Sequence, residues 1–351
     1  MCIRDSLLTM ALAGNVQAAE IRSVGPDGEA AVDASTIELT DDQIAQIKEG
    51  GYTAAICLHY GGNDWSTSQQ KGLEDTFGEL GIEIVAVTDA NFSAETQVSN
   101  IETVMAKKPD ILVSIPTDAT ATADAYKQAA AAGIKIVFMD QRADGLEAGK
   151  DYVSVVSADN YGNGYASGTV LGDALGGKGK VAMVYYDANF APTNQRDEGF
   201  RDAMKNYPDI EIVTEQGFTD ESGCAEQGDA ILTQFPNIDG IYASWDVPME
   251  GVLSAVRAAG MEGKVTLACN DLGNNVAREI ASGNIAGGGA QMPYDQGVAE
   301  AKLAALALLG EETPSYVAVP AETVTHENVL EAYTDVYHVE TPDWLKEAYV
   351  E

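Results

Sequence analysis

The sequence predicts an α/β protein made of two three-layer (αβα), Rossmann-like lobes, each built on a parallel sheet. Three observations lead to this fold. Apolar, β-branched runs such as 54–60, 134–139 and 264–269 are typical of buried parallel strands. Helical patterns alternate with these runs, and a second βα series begins after the strand predicted at 152–156. With 351 residues, the chain is long enough for two domains that each bury a core.

The first βα series begins at Tyr52. Its predicted strands are 54–60, 82–88, 111–115 and 134–139, and its predicted helices are 67–80, 94–107 and 120–132. Capping and stop residues support these bounds, because Ser93 can cap one helix and Gly81 and Gly133 follow two others.

A further predicted strand, 152–156, ends at the point where the second series starts. That series has predicted strands at 180–186, 210–214, 239–244, 264–269 and 285–290, with helices at 161–175, 194–206, 222–234, 249–259 and 273–282. A long helix, 294–309, and short strands near 316–319 and 323–325 follow. Those short strands need a sheet to join, so the chain is predicted to return across the lobe boundary. We expect a hinge of three crossings, because the lobes are not joined by a flexible Gly/Ser linker.

These crossings set the expected domain bounds. The first lobe is predicted at 52–158 plus 292–319, and the second at 159–291 plus 320–340. A polar, acidic extension at 20–51 precedes them, with one helical piece that Thr40 can cap, and a tail at 341–351 follows.

Residues 1–19 are predicted to be a signal peptide rather than part of the fold. An apolar stretch, 7–14, precedes Val16-Gln17-Ala18, which offers small residues for cleavage after Ala18 or Ala19. Residues 1–6 carry one Arg and no Lys, which indicates a truncated or artefactual start. Asn15 stands where a lipoprotein would carry Cys, so we expect export without a lipid anchor.

Composition excludes several classes of partner. The chain has 20 basic and 55 acidic residues, a formal net charge of −35, which argues against nucleic acid or an anionic membrane as a partner. Beyond the signal segment, no stretch approaches the roughly 20 apolar residues of a membrane helix. After export the cysteines are Cys57, Cys224 and Cys269, an odd count without metal-ligand spacing, which predicts structural thiols.

Catalytic and cofactor motifs are sparse. The Gly162-x-Gly164 segment superficially suggests a dinucleotide turn, but its spacing is G-x-G-x-x-x-G, and a tight helix start is favoured. Neither G-x-S-x-G nor H-E-x-x-H occurs. Of the histidines, only His59 ends a predicted strand, and we interpret it as a polar lining residue, with a core histidine as the alternative. We expect no cofactor, no metal and no enzymatic activity.

Polar residues follow the strands, and in open parallel sheets ligands bind beyond the carboxyl ends of the strands. Polyhydroxyl ligands need carboxylate and amide acceptors, a guanidinium donor and a flat aromatic ring. Residues in separate predicted loops carry these groups: Asn63, Trp65, Asp140, Arg196, Trp245, Asp271 and Gln291. Any single Asp is more often a helix cap or a solvated charge. Recurrence at equivalent positions favours a binding cleft, with Arg196 the weakest member by position.

The chain resembles the type I periplasmic sugar-binding proteins of ABC transporters, in particular the ribose-binding-protein-like group, from about residue 52 to about 325. The landmarks are Ile115-Pro116-Thr117-Asp118, Val137-Phe138-Met139-Asp140, Ser157-Ala158-Asp159-Asn160, Arg196-Asp197-Glu198-Gly199-Phe200, Asn270-Asp271 and Ala290-Gln291-Met292-Pro293. The resemblance implies two lobes that close over a monosaccharide and then dock on a membrane permease.

Position by position, the resemblance assigns ligand contacts to Asn63, Trp65, Asp140, Arg196, Asp271 and Gln291, and to Phe218 if one residue is inserted after it. Other positions depart from the ribose pattern. His59 stands where the ribose-binding pattern has Ser, and Ser66 stands where it has an aromatic residue. Ile115 replaces an Asn of the pattern, Gln141 replaces an Arg, and Trp245 replaces an Asn. These changes suggest fewer polar contacts on one side and more stacking. A pentose other than ribose, a hexose, a deoxy-sugar or a polyol all fit.

The sequence therefore predicts a periplasmic, monomeric binding protein that feeds a sugar or polyol to the permease of an ABC importer. A receptor that delivers its ligand to a chemoreceptor or sensor kinase is the alternative. An exported hydrolase of a sugar derivative, using His59 or the Asp pair, is disfavoured. A LacI-type repressor is also disfavoured, because an acidic stretch stands where such repressors carry a basic headpiece.

Overall fold

The computed structural model describes residues 21–350, and the predicted signal peptide lies outside this range. Two separate sheets, each covered by helices, form the two predicted α/β lobes. None of the helices between residues 21 and 350 is long and apolar enough to cross a membrane.

The first lobe has a seven-stranded sheet. Numbered in chain order, its strands are β1 (Val32–Asp33), β2 (Thr53–Leu58), β3 (Glu83–Asp89), β4 (Ile111–Ser114), β5 (Lys135–Met139), β6 (Ser154–Ala158) and β12 (Tyr316–Val319). They lie in the order β1-β12-β6-β5-β4-β2-β3, and every neighbouring pair is parallel. The helices of this lobe are α1 (Asp41–Gly50), α2 (Asp64–Glu79), α3 (Ala94–Ala106), α4 (Ala123–Ala131) and α10 (Pro293–Leu308).

The second lobe has a six-stranded sheet in the order β13-β11-β10-β9-β7-β8. Its strands are β7 (Lys178–Tyr186), β8 (Asp209–Phe218), β9 (Gly240–Ala243), β10 (Thr266–Cys269), β11 (Gly287–Ala290) and β13 (Glu322–Thr325), and only β13 is antiparallel to its neighbour. The helices are α5 (Asn160–Ala174), α6 (Ala191–Met204), α7 (Cys224–Gln234), α8 (Asp246–Ala258), α9 (Asn274–Ala281), α11 (Val329–Tyr337) and α12 (Asp343–Ala348).

The chain passes between the two sheets three times. The crossings lie at 158–160, between β6 and α5, at 290–293, between β11 and α10, and at 319–322, between β12 and β13. Short crossings of this kind permit rotation of one lobe against the other.

Two segments outside the predicted lobes belong to the structured body. In the predicted acidic extension, β1 pairs with β12 at the edge of the first sheet, and Ile47 of α1 is fully buried. In the predicted tail, Leu345 of α12 is fully buried in the core of the second lobe. Each segment has few large apolar residues, so its sequence alone gives little sign that it packs on a core.

Several helices begin earlier than predicted, and capping explains one shift. The side chain of Asn63 accepts a hydrogen bond from the backbone N–H of Ser66, so α2 begins at Asp64 rather than at residue 67. Pro192 occupies the first turn of α6, which begins at Ala191. Each earlier start brings the helix N-terminus closer to the carboxyl end of the preceding strand.

In each lobe, glycines let two helices approach closely. A Cβ on Gly164 of α5 would overlap the backbone carbonyl oxygen of Arg196, and one on Gly199 of α6 would overlap that of Tyr161. In the first lobe, Gly72 of α2 and Gly297 of α10 lie against each other's helix in the same way. The Gly164 segment is therefore a helix start, as predicted, and its glycines also serve as a helix–helix contact.

Candidate functional site

A cleft between the lobes collects the polar ends of both sheets. The space between its walls is about 520 Å³, and this figure includes the part that is open to solvent. The lining residues are His59, Tyr60, Asn63, Trp65, Phe92, Ile115, Asp140, Tyr186, Phe190, Pro192, Thr193, Arg196, Trp245, Asp246, Asp271 and Gln291. Eight of the ten predicted contact residues are among them.

Arg196 is the centre of a buried polar chain. Its Nη1 donates to Asp271 Oδ2 at 3.0 Å, its Nε donates to Asn160 Oδ1 at 2.8 Å, and only 5 % of the residue is exposed. Gln291 Nε2 donates to the other oxygen of Asp271 at 2.8 Å. The guanidinium and the carboxylate are thus held in fixed orientations by a charge-assisted pair.

Asp140 and Asp271 share an unusual backbone conformation. Asp140 directly follows the last residue of β5, and Asp271 lies two residues after the end of β10. Their φ angles are 54° and 70°. Asp is one of the few residues besides Gly that adopts this left-handed region at modest cost. The turn that results aims each side chain into the cleft, and such strained positions are typical of functional sites.

Asp140 is held at the first-lobe side of the cleft. Its Oδ1 accepts a hydrogen bond from Ser157 Oγ at 2.8 Å and a longer one from Gln296 Nε2 at 3.4 Å. Burial raises the pKa of its carboxyl above the ordinary value, and the hydrogen bond from Ser157 and the charge of Arg196 oppose this rise.

Asp246 is a second buried carboxylate of the lining, and the sequence did not single it out. Its two oxygens accept backbone hydrogen bonds from Val247 at 2.8 Å and from Gly273 at 3.0 Å. Burial raises its pKa to about 8, and the charges of Asp271, Glu250 and Asp64 add to the effect. Its position directly after Trp245, a residue that was singled out, was the available signal.

Aromatic rings from both lobes form one wall of the cleft. His59 stacks on Phe190 at 5.6 Å between ring centroids, and Tyr60 stacks on Phe92 at 4.5 Å. Tyr186 of the second lobe contacts the Trp245 ring at 5.6 Å. Burial lowers the pKa of His59 to about 3, so its imidazole is neutral at physiological pH.

Three buried polar atoms of the lining have no hydrogen-bond partner within residues 21–350. They are His59 Nδ1, Trp65 Nε1 and Gln291 Oε1. Buried polar groups are nearly always paired in native proteins. These atoms therefore mark positions at which a bound molecule can supply donors and acceptors.

Comparison with known proteins identifies the family. Residues 54–312 match the family model described as a periplasmic binding protein domain. The chain belongs to the periplasmic binding protein family. The resemblance stated from its sequence motifs is thereby confirmed.

Relatives of this periplasmic binding protein are named as sugar-binding proteins. It is 29 % identical over 273 residues to the D-ribose/D-allose-binding protein of Pseudomonas aeruginosa, which covers 75 % of this chain and 83 % of the relative. It is 27 % identical over 213 residues to the ribose import binding protein of Bacillus subtilis, which covers 60 % of this chain and 67 % of the relative.

Solved structures confirm the predicted fold of this periplasmic binding protein. A solute-binding protein from Actinobacillus succinogenes with bound D-allose is 29 % identical with a TM-score of 0.73, and the match covers 79 % of this chain and 99 % of that one. A second solute-binding protein, from Agrobacterium vitis with bound α-D-tagatopyranose, is 25 % identical with a TM-score of 0.76. That match covers 83 % of this chain and 100 % of the other.

Two predicted contact residues do not line the cleft of this periplasmic binding protein. Gln141 Nε2 donates to the carbonyl of Pro116 at 2.8 Å, and its Oε1 accepts from the Ala191 N–H at 3.1 Å, so it bridges the lobes behind the cleft. Phe218 lies in the core of the second lobe and supports the Trp245 ring at 5.1 Å. The side chain after a left-handed Asp140 turns away from the cleft, which explains the position of Gln141.

Sequence reasoning missed seven lining residues, most of them aromatic: Tyr60, Phe92, Tyr186, Phe190, Pro192, Thr193 and Asp246. All lie at strand ends, in the loops that follow, or in the first turn of the next helix, which was a usable signal. Their rings come from loops of irregular length, so sequence position alone could not show that they face each other.

The lobes of this periplasmic binding protein are closed over the cleft. At the rim, both oxygens of Asp64, the first residue of α2, accept hydrogen bonds from Asn274, at 2.7 Å from its backbone N–H and 2.8 Å from its side chain. Asn274 begins α9 of the second lobe, so the Asp64 carboxylate also lies at a helix N-terminus.

Proposed function

We propose that this protein is an exported solute-binding protein that captures a monosaccharide or related polyol between its lobes and delivers it to an ABC importer. The observation that carries the proposal is the closed cleft, in which the Arg196–Asp271–Gln291 chain faces a wall of aromatic rings. Hydroxyl groups pair with the polar chain, and the C–H faces of a sugar ring pack on flat aromatic rings.

The predicted contact residues take distinct roles in this proposal. Arg196 Nη2 makes no hydrogen bond to residues 21–350, which leaves it able to donate to a ligand hydroxyl. Asp140 and Asp271 accept hydrogen bonds from hydroxyls, and Gln291 and Asn63 orient the ring. Trp65 and Trp245 stack on it, while Phe218 acts through Trp245.

The ligand class follows the relatives, but the contacts differ from the ribose pattern. The names of the relatives include ribose and allose, and the structural neighbours hold allose and tagatose. Here Ile115 adds an apolar surface to the lining, and Gln141 is held behind it. We therefore expect a ligand other than ribose.

We further propose that the protein binds its ligand without chemical turnover and that it is not anchored to a membrane. His59 is neutral and has an aromatic environment rather than a nucleophile beside it, which supports a lining role. The closed lobes present one joint surface, which is what a permease partner in the membrane would recognise.

A thermal-shift screen of the purified protein against pentoses, hexoses, amino sugars and polyols tests the proposal. At a ligand concentration of about 100 times Kd, binding stabilises the folded form by roughly 2.7 kcal/mol, which raises Tm by several degrees. Calorimetry on the best hit should give one site per chain. If no compound raises Tm or gives binding heat, the proposed function is wrong.

A further inference from the structure

The cleft holds more acidic groups than basic ones. Within the described residues, the lining has three carboxylates, Asp140, Asp246 and Asp271, and a single cation, Arg196. Arg196 is committed to Asp271 by its Nη1 and to Asn160 by its Nε. Asp246 receives only backbone hydrogen bonds. One buried carboxylate of the binding site is therefore without a positive partner.

The other groups around Asp246 increase this imbalance. Glu250 of α8, Asp271 before α9 and Asp64 of α2 are the acidic groups that face it. The other titratable neighbours among the described residues are Tyr60, Cys269 and Tyr337. Burial raises the pKa of Asp246, and these acidic groups add to the rise. Within residues 21–350 its carboxyl accepts hydrogen bonds only from two backbone N–H groups.

The wall beside Asp246 also suits a cation. Trp245 precedes it directly, and Tyr186 and Tyr60 line the same cleft. The faces of Trp and Tyr rings attract ammonium groups within about 6 Å of the ring centroid, and aromatic cages of this kind recognise amines. Gln291 Oε1, 97 % buried by residue and without a partner in residues 21–350, offers a further acceptor for an N–H group.

We propose that the natural ligand carries an ammonium group that pairs with Asp246, and is thus an amino sugar or another small hydroxylated amine. The proposal rests on the proposed function, because it names the ligand class of the same cleft. Because the pKa of Asp246 is raised to about 8, its carboxyl is mostly protonated at pH 7 in the ligand-free protein. An ammonium group would displace that proton, pair with the carboxylate and pack against the rings. The hydroxyls of the ligand would remain with Arg196, Asp271 and Asp140.

Matched pairs of sugars test this assignment by calorimetry at pH 7: D-glucosamine with D-glucose, D-galactosamine with D-galactose, and D-mannosamine with D-mannose. In the pair that binds best, the amine should bind roughly 10- to 150-fold more tightly, the range expected for a charged hydrogen bond. Asp246→Asn should abolish the preference, whereas Glu250→Gln, which removes a nearby carboxylate outside the lining, should retain it.

Proton release supplies a readout that a purely structural role of Asp246 would not change. Pairing with a cation lowers the pKa of a carboxyl, so the amine should release about one proton at pH 7, measured as binding heat that varies with the ionisation enthalpy of the buffer. A neutral sugar that binds at least as tightly as its amine, or amine binding without proton release, would overturn the assignment. Absence of binding by every sugar, amine and polyol would instead overturn the proposed function.

A second inference concerns the segment 21–33, which we call the strap and which precedes the residues matched by the family model. The strap lies across the first crossing between the lobes. The backbone N–H groups of Arg22 and Ser23 donate to the Asp159 carboxylate at 3.0 and 2.8 Å, and Ser23 Oγ accepts from the Tyr161 N–H at 3.0 Å.

The strap is attached to both lobes. On the first lobe, Asp27 forms a two-point ion pair with Arg142 at 2.7 and 2.8 Å, and β1 pairs with β12. On the second lobe, the Arg22 guanidinium lies 3.9 Å from the centroid of the Tyr165 ring. We infer that the strap restrains opening of the lobes and slows release of the ligand.

Spin labels at Glu102 of the first lobe and Lys264 of the second report opening of the ligand-free protein. Pulsed electron–electron double resonance measures the distances between the two labels. Arg22→Ala and Asp27→Asn should each increase the open population, roughly two- to five-fold. Because either change frees one end of the same strap, the double variant should exceed the larger single effect only slightly. Arg278→Ala removes a cation–ring contact within the second lobe, to Trp344 at 5.1 Å, and should change nothing. Unchanged distances in both single variants, or fully additive effects, would contradict the inference.

Discussion

Arg196→Ala is expected to weaken ligand binding roughly 100-fold and to lower the free energy of unfolding by about 3–5 kcal/mol. The first effect follows from the loss of a charged hydrogen bond to the ligand. The second follows because Asp271, whose side chain is 10 % exposed, would lose the one cationic partner it has within residues 21–350. Calorimetry with the ligand found by screening measures the first effect, and urea unfolding at 25 °C measures the second.

Arg201 provides the matched control on the same helix. It pairs with Glu215 at 2.6 Å, but both side chains are more than one-third exposed. Ion pairs of this kind contribute about 0–1 kcal/mol, so Arg201→Ala should leave affinity unchanged and stability nearly so. Arg196→Lys, which keeps the charge but not the fork of donors, should fall between wild type and alanine. Wild-type affinity in Arg196→Ala would remove Arg196 from the site.

The fold could be predicted because its signals are local. Apolar runs of five or six residues, separated by helical patterns with recognisable caps, identify parallel strands without reference to distant parts of the chain. The strand-end positions of Asp140 and Asp271 follow from the same argument, since the carboxyl ends of parallel strands meet at one edge. These residues line the cleft as expected.

The site could be predicted only in part, because side-chain direction depends on backbone angles that the sequence does not state. Gln141 follows Asp140 directly, yet the left-handed turn at Asp140 sends their side chains to different places. Asp246 was hidden for another reason. Its significance comes from the carboxylates and rings that surround it, and those arrive from α2, α8 and the loop before α9.

The burial of Arg196 also could not be predicted from the sequence. By position it is an arginine early in a helix, where exposure is the usual outcome, but it is among the most buried charged residues of the protein. The reason is the close packing of α5 on α6, which draws this helix toward the sheet. Gly164 and Gly199 permit that approach. The sequence shows that a helix contains a glycine, but it does not show which neighbouring helix packs against that glycine.

Gly164→Ala is therefore expected to damage both the fold and the site. Its added Cβ would overlap the carbonyl oxygen of Arg196, which is backbone and can move only with helix α6. Overpacking of this kind costs about 1–3 kcal/mol of unfolding free energy. Displacement of α6 also shifts the Arg196 guanidinium from Asp271, so affinity should fall roughly 10-fold, by the loss of about 1.4 kcal/mol.

Gly78→Ala is the control, because Gly78 also lies in a helix, α2, and a Cβ there would meet nothing within 4 Å. That variant should be more stable by up to about 1 kcal/mol, since alanine loses less backbone freedom on folding than glycine. Urea unfolding and calorimetry on both variants compare the same chemical change at a packed and an open position. If Gly164→Ala matched Gly78→Ala in stability and affinity, the close approach of α5 and α6 could not be what positions Arg196.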